Sequence, residues 1–430
     1  MQNSFYGKIR CWERLRKCTD EEFRIAHFIN PGEVTIRSRN QYSWDLKINR
    51  NALSGLVITL VLSLIPNPAY SIAKIVPDGV CKIDGQEVSF KRKIYACLRS
   101  GKKIFWNEQA KVVVPAPSPT FVEPIAPTSF SDLADRAGGI SYWGWKKSAT
   151  ELKTGALSGV EVVQLLGPNS QMMNPDPTTA IYLTERLYSQ FVQPKKVYLI
   201  YFSFSDVTWA QLQFNKYALH PTGHEAANSC QSAATCWGAQ SEIDMKGNAI
   251  LLLSVRGGGI EDLNHSSGTL EAHEFTHAIQ GSQFIGTSKE AAAYCCTKSY
   301  MPWWLVEGGA EFSHAAALYS DSFANYSSER KNDVGGLFTD ATITTSWLET
   351  FLKPGSTGDW AKYDNWRIYD VGFLASEVLA ALQGPQSIMQ LYREVALGKS
   401  YEAAFLGIYG ISWNDAVPIL AQAIHSLINP

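Results

Sequence analysis

The run His273-Glu274-Phe275-Thr276-His277 holds the side chains of this sequence that are best suited to binding a metal ion. Residues four apart lie on one face of an α-helix, so His273 and His277 can offer two imidazole nitrogens to one ion. Glu274 then lies near the open side of that ion, where a carboxylate can take a proton from a water molecule. The spacing predicts a catalytic metal site with Glu274 as the general base.

Two more carboxylates follow in the segment 302–312, which reads PWWLVEGGAEF. Glu307 and Glu311 are four residues apart, and the apolar residues around them favour a buried helix over two solvated glutamates on an exposed helix face. We expect Glu307 to be the third metal ligand and Glu311 to accept a hydrogen bond from a ligating imidazole. Trp303 and Trp304, at the predicted helix start, are expected to pack in the core.

These motifs together, H-E-x-x-H followed by W-L-x-E-G-x-A-E-[FY], resemble the gluzincin metallopeptidases, the group that includes thermolysin and aminopeptidase N. The resemblance covers about 195–430, with its specific motifs in 270–312. It implies a zincin-like catalytic domain in which His273, His277 and Glu307 bind Zn²⁺. It also implies that Glu274 is the catalytic base and that Glu311 orients a histidine ligand.

A further match is Tyr369-Asp370-Val371-Gly372, which resembles the Y-x-x-G of the aminopeptidase N branch. There the tyrosine hydroxyl stabilises the oxyanion, which makes Tyr369 a candidate catalytic residue. A core tyrosine on a helix is the alternative. The G-x-M-E-N motif that holds a free amino terminus in aminopeptidases is missing, and 257–261 reads only GGGIE. Endopeptidase and exopeptidase action therefore both stay open.

The remaining histidines in this part of the chain are expected to lie outside the metal site. His220 and His224 are separated by a proline and a glycine, so they are predicted to be loop residues. His265 is predicted to be a surface histidine. His314 follows Glu311 by less than one helical turn, and we expect a core histidine there, with a place behind the metal ligands as the alternative.

The order of apolar patterns indicates an α+β fold. Strands are predicted at 196–204 and 248–255, with a short helix at 206–214 between them. Helical patterns follow at 273–280, 303–319, 369–382 and 416–427. We therefore expect a sheet-containing lobe, then a mainly helical C-terminal lobe, with a cleft between them. The strand at 248–255 is a candidate sheet edge for an extended peptide.

The N-terminal part predicts export. The uncharged run 53–65 (LSGLVITLVLSLI) is preceded by basic residues and stopped by prolines, and it is shorter than the about 20 residues of a membrane-spanning helix. We interpret 51–73 as a signal peptide or an anchor and 1–50 as a tail that need not belong to the mature protein. A secreted or cell-surface location is expected.

The segment 74–110 predicts a small β-rich module closed by a Cys81–Cys97 disulfide. Its pattern of G-x-C, Y-x-C and S-G-K-K-x-x-W resembles a short module of secreted actinobacterial proteins. Contact with the cell surface and a plain spacer role are both open for it. A proline-rich linker is predicted at 111–130, and the metallopeptidase domain at 131–430.

Four further cysteines are candidates for disulfides, because export makes disulfides the default interpretation. Joining the adjacent Cys295 and Cys296 would make a strained ring. We therefore predict that Cys230 and Cys236 each bridge to one of Cys295 and Cys296. A structural zinc site is disfavoured, because no C-x-x-C spacing is present.

The charge balance excludes a nucleic-acid partner as the default, since the 430 residues carry a net charge of −2 and only 18% are charged. The motifs then favour a secreted peptidase that hydrolyses peptide bonds through a zinc-bound water, with a peptide or protein as substrate. Two alternatives are an inactive gluzincin-like binding module and a cell-surface adhesion or structural protein with an accidental H-E-x-x-H.

Overall fold

A computed structural model describes residues 79–81, 86–90, 93–100, 103–108, 121–219, 221–256, 266–293, 297–358, 362–364 and 366–429. The chain divides into two compact units, Met1–Pro115 and Ala116–Pro430. The predicted tail at 1–50 and signal peptide or anchor at 51–73 lie outside the described residues. Within those residues, no helix combines the length and the apolar character that crossing a membrane requires.

The first unit contains a small antiparallel sheet with the strand order β1-β2-β3. Its strands are β1 (Glu87–Phe90), β2 (Lys93–Ser100) and β3 (Lys103–Glu108). Tyr95 and Trp106 are buried against a disulfide between Cys81 and Cys97. The predicted pairing of these two cysteines is therefore confirmed, and the disulfide forms part of the small core beside this sheet in the described residues.

The second unit contains a four-stranded sheet with the order β4-β5-β7-β6. Its strands are β4 (Glu161–Leu166), β5 (Lys196–Phe202), β6 (Ala239–Ile243) and β7 (Ala249–Ser254). β4, β5 and β7 are parallel, and β6 pairs antiparallel to β7. The predicted sheet edge at 248–255 is wrong, because β6 folds back onto β7 and leaves it in the interior. All six residues of β7 are buried, as in a strand covered on both faces.

Helices make up most of the rest of this unit, and the α+β class is confirmed. They are α1 (Ile140–Thr154), α2 (Pro177–Leu187), α3 (Val207–Tyr217), α4 (Glu225–Ser229), α5 (Thr269–Ser282), α6 (Trp303–Leu318), α7 (Phe323–Val334), α8 (Thr345–Leu352), α9 (Trp366–Gln383), α10 (Gln386–Ala396), α11 (Tyr401–Tyr409) and α12 (Trp413–Ile428). Asp176, Ser322, Thr344, Ser400 and Ser412 begin five of them by accepting a hydrogen bond from a backbone N–H of the first turn.

The sheet separates two hydrophobic cores. Val197, Leu199 and Tyr201 of β5 belong to the large core that includes α5, α6 and α9, whereas Ile200 and Phe202 belong to a smaller core with α3. β7 alternates in the same way. This alternation of side chains anchors α5 on one face of the sheet.

The smaller core also contains the Cys230–Cys236 disulfide. The predicted bridges from these cysteines to Cys295 and Cys296 are therefore wrong. Cys230 and Cys236 face each other across an isolated antiparallel bridge, because the short segment between them turns back on itself. Cys295 and Cys296 lie outside the described residues.

Helices α6 and α9 cross at two glycines with their backbones in contact. A Cβ atom on Gly308 would lie 2.2 Å from the Cα atom of Gly372, and one on Gly372 would lie 2.1 Å from the carbonyl oxygen of Trp304. Neither position can hold a larger residue unless the helices move apart. The contact explains why glycine follows Glu307 directly and follows Tyr369 by three residues.

We predict that Gly308→Ala lowers the free energy of unfolding by about 1–3 kcal/mol, because it forces the two helices apart. The matched control is Gly309→Ala, where a Cβ atom would make ordinary contacts at 3.6 Å or more. There the better helix propensity of alanine should stabilise the protein by up to about 1 kcal/mol. Denaturant unfolding of both variants measures the difference. Equal stability of the two would contradict this account of the crossing.

Candidate metal centre

Helix α5 carries the predicted H-E-x-x-H run on its buried surface. It begins after Gly268, whose φ of +90° is open to glycine at little cost. It ends at Ser282. His273 and Glu274 are 7% and 6% exposed, and His277 is partly exposed. The predicted helix is confirmed, and one side of the site is open to solvent at His277.

Three donor atoms from α5 and α6 converge on one point. The Nε2 atoms of His273 and His277 are 3.0 Å apart. Glu307 Oε2 lies 3.2 Å from Nε2 of His277 and 3.7 Å from Nε2 of His273. The structure therefore brings together the three residues that the sequence predicts as ligands, and they form a group able to hold a metal ion.

These distances suit a small divalent metal ion, of which zinc is one. Ligand atoms about 2.0–2.1 Å from a tetrahedral centre are separated from each other by about 3.3 Å. The three observed separations of 3.0, 3.2 and 3.7 Å scatter around that value. Two imidazoles and one carboxylate also match the donor set of catalytic zinc sites, which keep a further position for water.

Gln280 determines which nitrogen of His277 is free to bind a metal. The amide nitrogen of Gln280 donates to the carbonyl oxygen of Val306 at 3.1 Å, so its Oε1 faces Nδ1 of His277 at 2.9 Å. A carbonyl and an amide oxygen can only accept, so Nδ1 of His277 must carry the hydrogen. Its Nε2 then has a lone pair directed at the convergence point.

Glu311 has the corresponding position behind His273. Its Oε1 lies 3.3 Å from Nδ1 of His273, in the orienting place predicted for it. Burial would lower the pKa of His273, but Glu311 and Glu307 raise it well above its ordinary value. In the metal-free protein this favours the protonated imidazole of His273. We expect a cation that binds here to displace a proton, so that its affinity falls as pH falls.

Glu307 is held so that only one of its oxygens faces the histidines. Its Oε1 accepts a hydrogen bond from Nε1 of Trp303 at 3.1 Å and forms an ion pair with Nζ of Lys298 at 2.9 Å. Burial would raise the pKa of Glu307, but Lys298 and the two histidines lower it well below its usual range. The carboxylate stays ionised and is directed as a one-oxygen ligand.

Trp303 and Trp304 differ in their roles. Trp304 is fully buried, as predicted for a core residue. The prediction of simple packing is incomplete for Trp303, because its indole N–H holds Glu307. The spacing of four residues between Trp303 and Glu307 was the available signal for this contact. Lys298 lies on a separate short turn, Thr297–Ser299, and no local pattern points to it.

Glu274 lies among the charged groups of the site. Burial raises its pKa, the two histidines lower it, and Glu307 and Glu311 raise it again, with a net upward shift. A carboxyl group whose pKa is raised from its low ordinary value is a better proton acceptor in catalysis near neutral pH. The surroundings of Glu274 are therefore suited to a general base.

Tyr369 also reaches the site. Its ring stacks against His273 with a centroid separation of 6.1 Å. Burial raises the pKa of Tyr369, and Glu307, Glu311 and Glu274 raise it further, so its hydroxyl keeps its proton. The structure thus places the ring of Tyr369 beside His273 of the metal-binding group, at the edge of the large hydrophobic core.

Of the other histidines, His224 is exposed before the short helix α4, as predicted for a loop residue. His220 and His265 lie outside the described residues. His314 is fully buried, as predicted for a core histidine, and its ring lies 6.5 Å from that of His273. His314 therefore has a place behind the metal-binding group.

Fold and site together define an α+β protein with a buried His/Glu group able to hold a metal ion. Comparison with protein-family models, with curated proteins and with solved structures finds no match to this chain.

We predict that Gln280→Met weakens zinc binding by about 10–100-fold, because it removes the acceptor that fixes His277. The matched control is Gln283→Met, on the same helix, whose side chain bonds to the carbonyl oxygens of Val192 and Ile279 and touches no predicted ligand. Competition with a chromophoric chelator measures both affinities. An unchanged affinity in Gln280→Met would refute the orienting role of Gln280.

Proposed function

We propose that this protein is a secreted zinc-dependent peptidase of the gluzincin type. The observation that carries the proposal is the convergence of three donor atoms, each oriented from behind by a further residue. Gln280 orients His277, Glu311 orients His273, and Trp303 with Lys298 orients Glu307. An accidental H-E-x-x-H in a structural protein would have no reason to combine these supports.

His273, His277 and Glu307 would hold the zinc. When bound by two imidazoles and a carboxylate, zinc supplies a Lewis acid that lowers the pKa of water and polarises a carbonyl group. The partial exposure of His277 leaves a side from which a peptide can approach.

Glu274 performs the proton transfers in this proposal. Its carboxylate accepts a proton from the water molecule whose oxygen attacks the peptide carbonyl carbon. As the carbon–nitrogen bond breaks, Glu274 gives that proton to the leaving nitrogen, so the carboxylate returns to its starting state. Burial next to two other carboxylates favours this role, because it makes Glu274 more basic than a solvated glutamate.

Tyr369 acts on the carbonyl oxygen. That oxygen gains negative charge as the water attacks, and a donor already in place stabilises the charge without reorganisation. The hydroxyl keeps its proton and lies beside the ligands, which supports this assignment. Tyr369 and Glu307 lie on the two helices, α9 and α6, that touch at Gly372 and Gly308.

Secretion is supported by the predicted export signal and by two disulfides, which are typical of proteins from oxidising compartments. The substrate is a peptide or a protein, because the H-E-x-x-H chemistry is that of amide hydrolysis.

We predict that Glu274→Gln lowers turnover by about 10²–10⁴-fold and leaves zinc bound, because the amide cannot accept the proton. The control is Glu271→Gln on the same helix, where the new side-chain oxygen can still accept from Tyr201 and Asn174. Cleavage of casein and of a peptide mixture, with zinc per chain measured by mass spectrometry, tests both. Full activity of Glu274→Gln would exclude this role. Zinc binding without cleavage by the unsubstituted protein would favour an inactive binding module.

We predict that Tyr369→Phe lowers kcat by about 10²–10³-fold with little change in KM or zinc content, because the lost donor acts on the transition state. Tyr363→Phe is the control, since its ring packs on Trp347 and Phe351. Steady-state kinetics on a fluorogenic peptide compare the two. A change in KM alone would assign Tyr369 to substrate binding and not to oxyanion stabilisation.

A further inference from the structure

A second group of potential metal ligands lies behind the first, where α6 packs against α7. The Nε2 atom of His314 is 3.3 Å from Oδ2 of Asp333 and 3.8 Å from Oε1 of Glu329. The three donor atoms all lie within 4.8 Å of one another. Glu329 and Asp333 are four residues apart on α7, so helix geometry puts both carboxylates on one side of that helix.

His314 has no hydrogen-bond partner in suitable geometry at either ring nitrogen, although it is completely buried. Oδ2 of Asp333 is also buried without one. Buried polar atoms in proteins are nearly always hydrogen-bonded, so a buried imidazole and carboxylate that face each other at 3.3 Å without hydrogen-bond geometry are an unusual arrangement. A cation between them would bond both at once.

The local balance of charged groups also favours a bound cation. Glu311, Glu329 and Asp333 surround the single imidazole of His314. Within the described part of the chain, no lysine or arginine forms an ion pair with Glu329 or Asp333. Arg330 lies between them in sequence, but its Nε bonds both oxygens of Glu377 at 2.8 and 2.9 Å. Excess buried negative charge is costly unless it is paired or bound to a metal.

The pKa of Asp333 is raised to about 6. Burial raises this pKa, His314 lowers it, and Glu311 and Glu329 raise it again. The distances between His314, Glu329 and Asp333 show where a cation would balance this negative charge.

We propose that His314, Glu329 and Asp333 form a second metal site, which binds a divalent transition-metal ion such as Zn²⁺ or Mn²⁺. One imidazole and two carboxylates suit these ions, whereas Ca²⁺ prefers six or more oxygen ligands. The inference does not depend on the proposed peptidase activity, since none of the three residues belongs to the first site.

The second ion has a structural role that extends to the first site. A metal bonded to Nε2 of His314 leaves the hydrogen on Nδ1, which lies 3.4 Å from Oε2 of Glu311. The other oxygen of Glu311 lies 3.3 Å from Nδ1 of His273. Glu311 therefore lies between the two groups, in electrostatic contact with His314 on one side and with His273 on the other.

The test is the number of zinc ions per chain in the full-length protein, after chelator treatment and dialysis against excess Zn²⁺. Two ions are expected in the unsubstituted protein and in Asp321→Asn, an exposed carboxylate used as the control. Asp333→Asn and Glu329→Gln should each bind one ion. His277→Ala should also bind one, because it removes only the first site.

Two ion-count results would overturn the proposal. One is a single ion in the unsubstituted protein and none in His277→Ala. The other is two ions in both Asp333→Asn and Glu329→Gln, which would put the second ion elsewhere. If Asp333→Asn or Glu329→Gln does not fold, His277→Ala still tests the second site. Zinc should raise the unfolding temperature of His277→Ala, and no rise would refute the second site. Loss of one ion in Asp333→Asn alone, with none lost in His277→Ala, would keep the second site and refute the first.

Discussion

The close crossing of α6 and α9 is the contact on which the geometry of the site depends. Gly308 and Gly372 let the two helix backbones touch. Glu307 lies one residue before the first glycine, and Tyr369 lies three residues before the second. Because helices are stiff over one turn, backbone contact at the glycines constrains the positions of both side chains. A wider crossing would move Tyr369 away from Glu307.

Directional hydrogen bonds from helix α6 fix the orientation of other side chains in the site. The carbonyl oxygen of Val306 on α6 fixes the amide of Gln280, which fixes the ring of His277 on α5. A backbone carbonyl cannot exchange donor and acceptor roles, so it gives this chain of bonds an unambiguous direction. The same helix α6 thus supplies one candidate ligand, Glu307, and orients the ring of another, His277. Such support is what separates a metal site from histidines that are merely close together.

The charged residues around the site lie in two places, a more exposed outer side and a buried inner side. Lys298 lies at the more exposed side of Glu307, and its side chain is 47% exposed, whereas Glu311, Glu329 and Asp333 lie on the inner side around His314. The cation on the outer side keeps Glu307 ionised. The carboxylates on the inner side hold His273 from behind and surround His314. The negative charges in this region are therefore not matched one by one by positive side chains, and bound cations are a simple way to balance them.

Local periodicity determined most of what could be predicted from the sequence. The spacing of His273 to His277 and of Glu307 to Glu311 reflects the turn of one helix, which is the same in any fold. The helices and strands around them follow from apolar patterns of equally short range, and Cys81 and Cys97 come together within one small sheet.

Contacts between elements were decided only by the tertiary structure. The turn that joins Cys230 to Cys236, the pairing of β6 onto β7 and the approach of Lys298 to Glu307 all depend on how the chain folds back in space. Gln280 is an intermediate case, because its spacing from His277 is local but its orientation depends on Val306 of another helix. No repeat along the chain encodes such contacts, since they depend on the path of turns and on the packing of side chains from different elements.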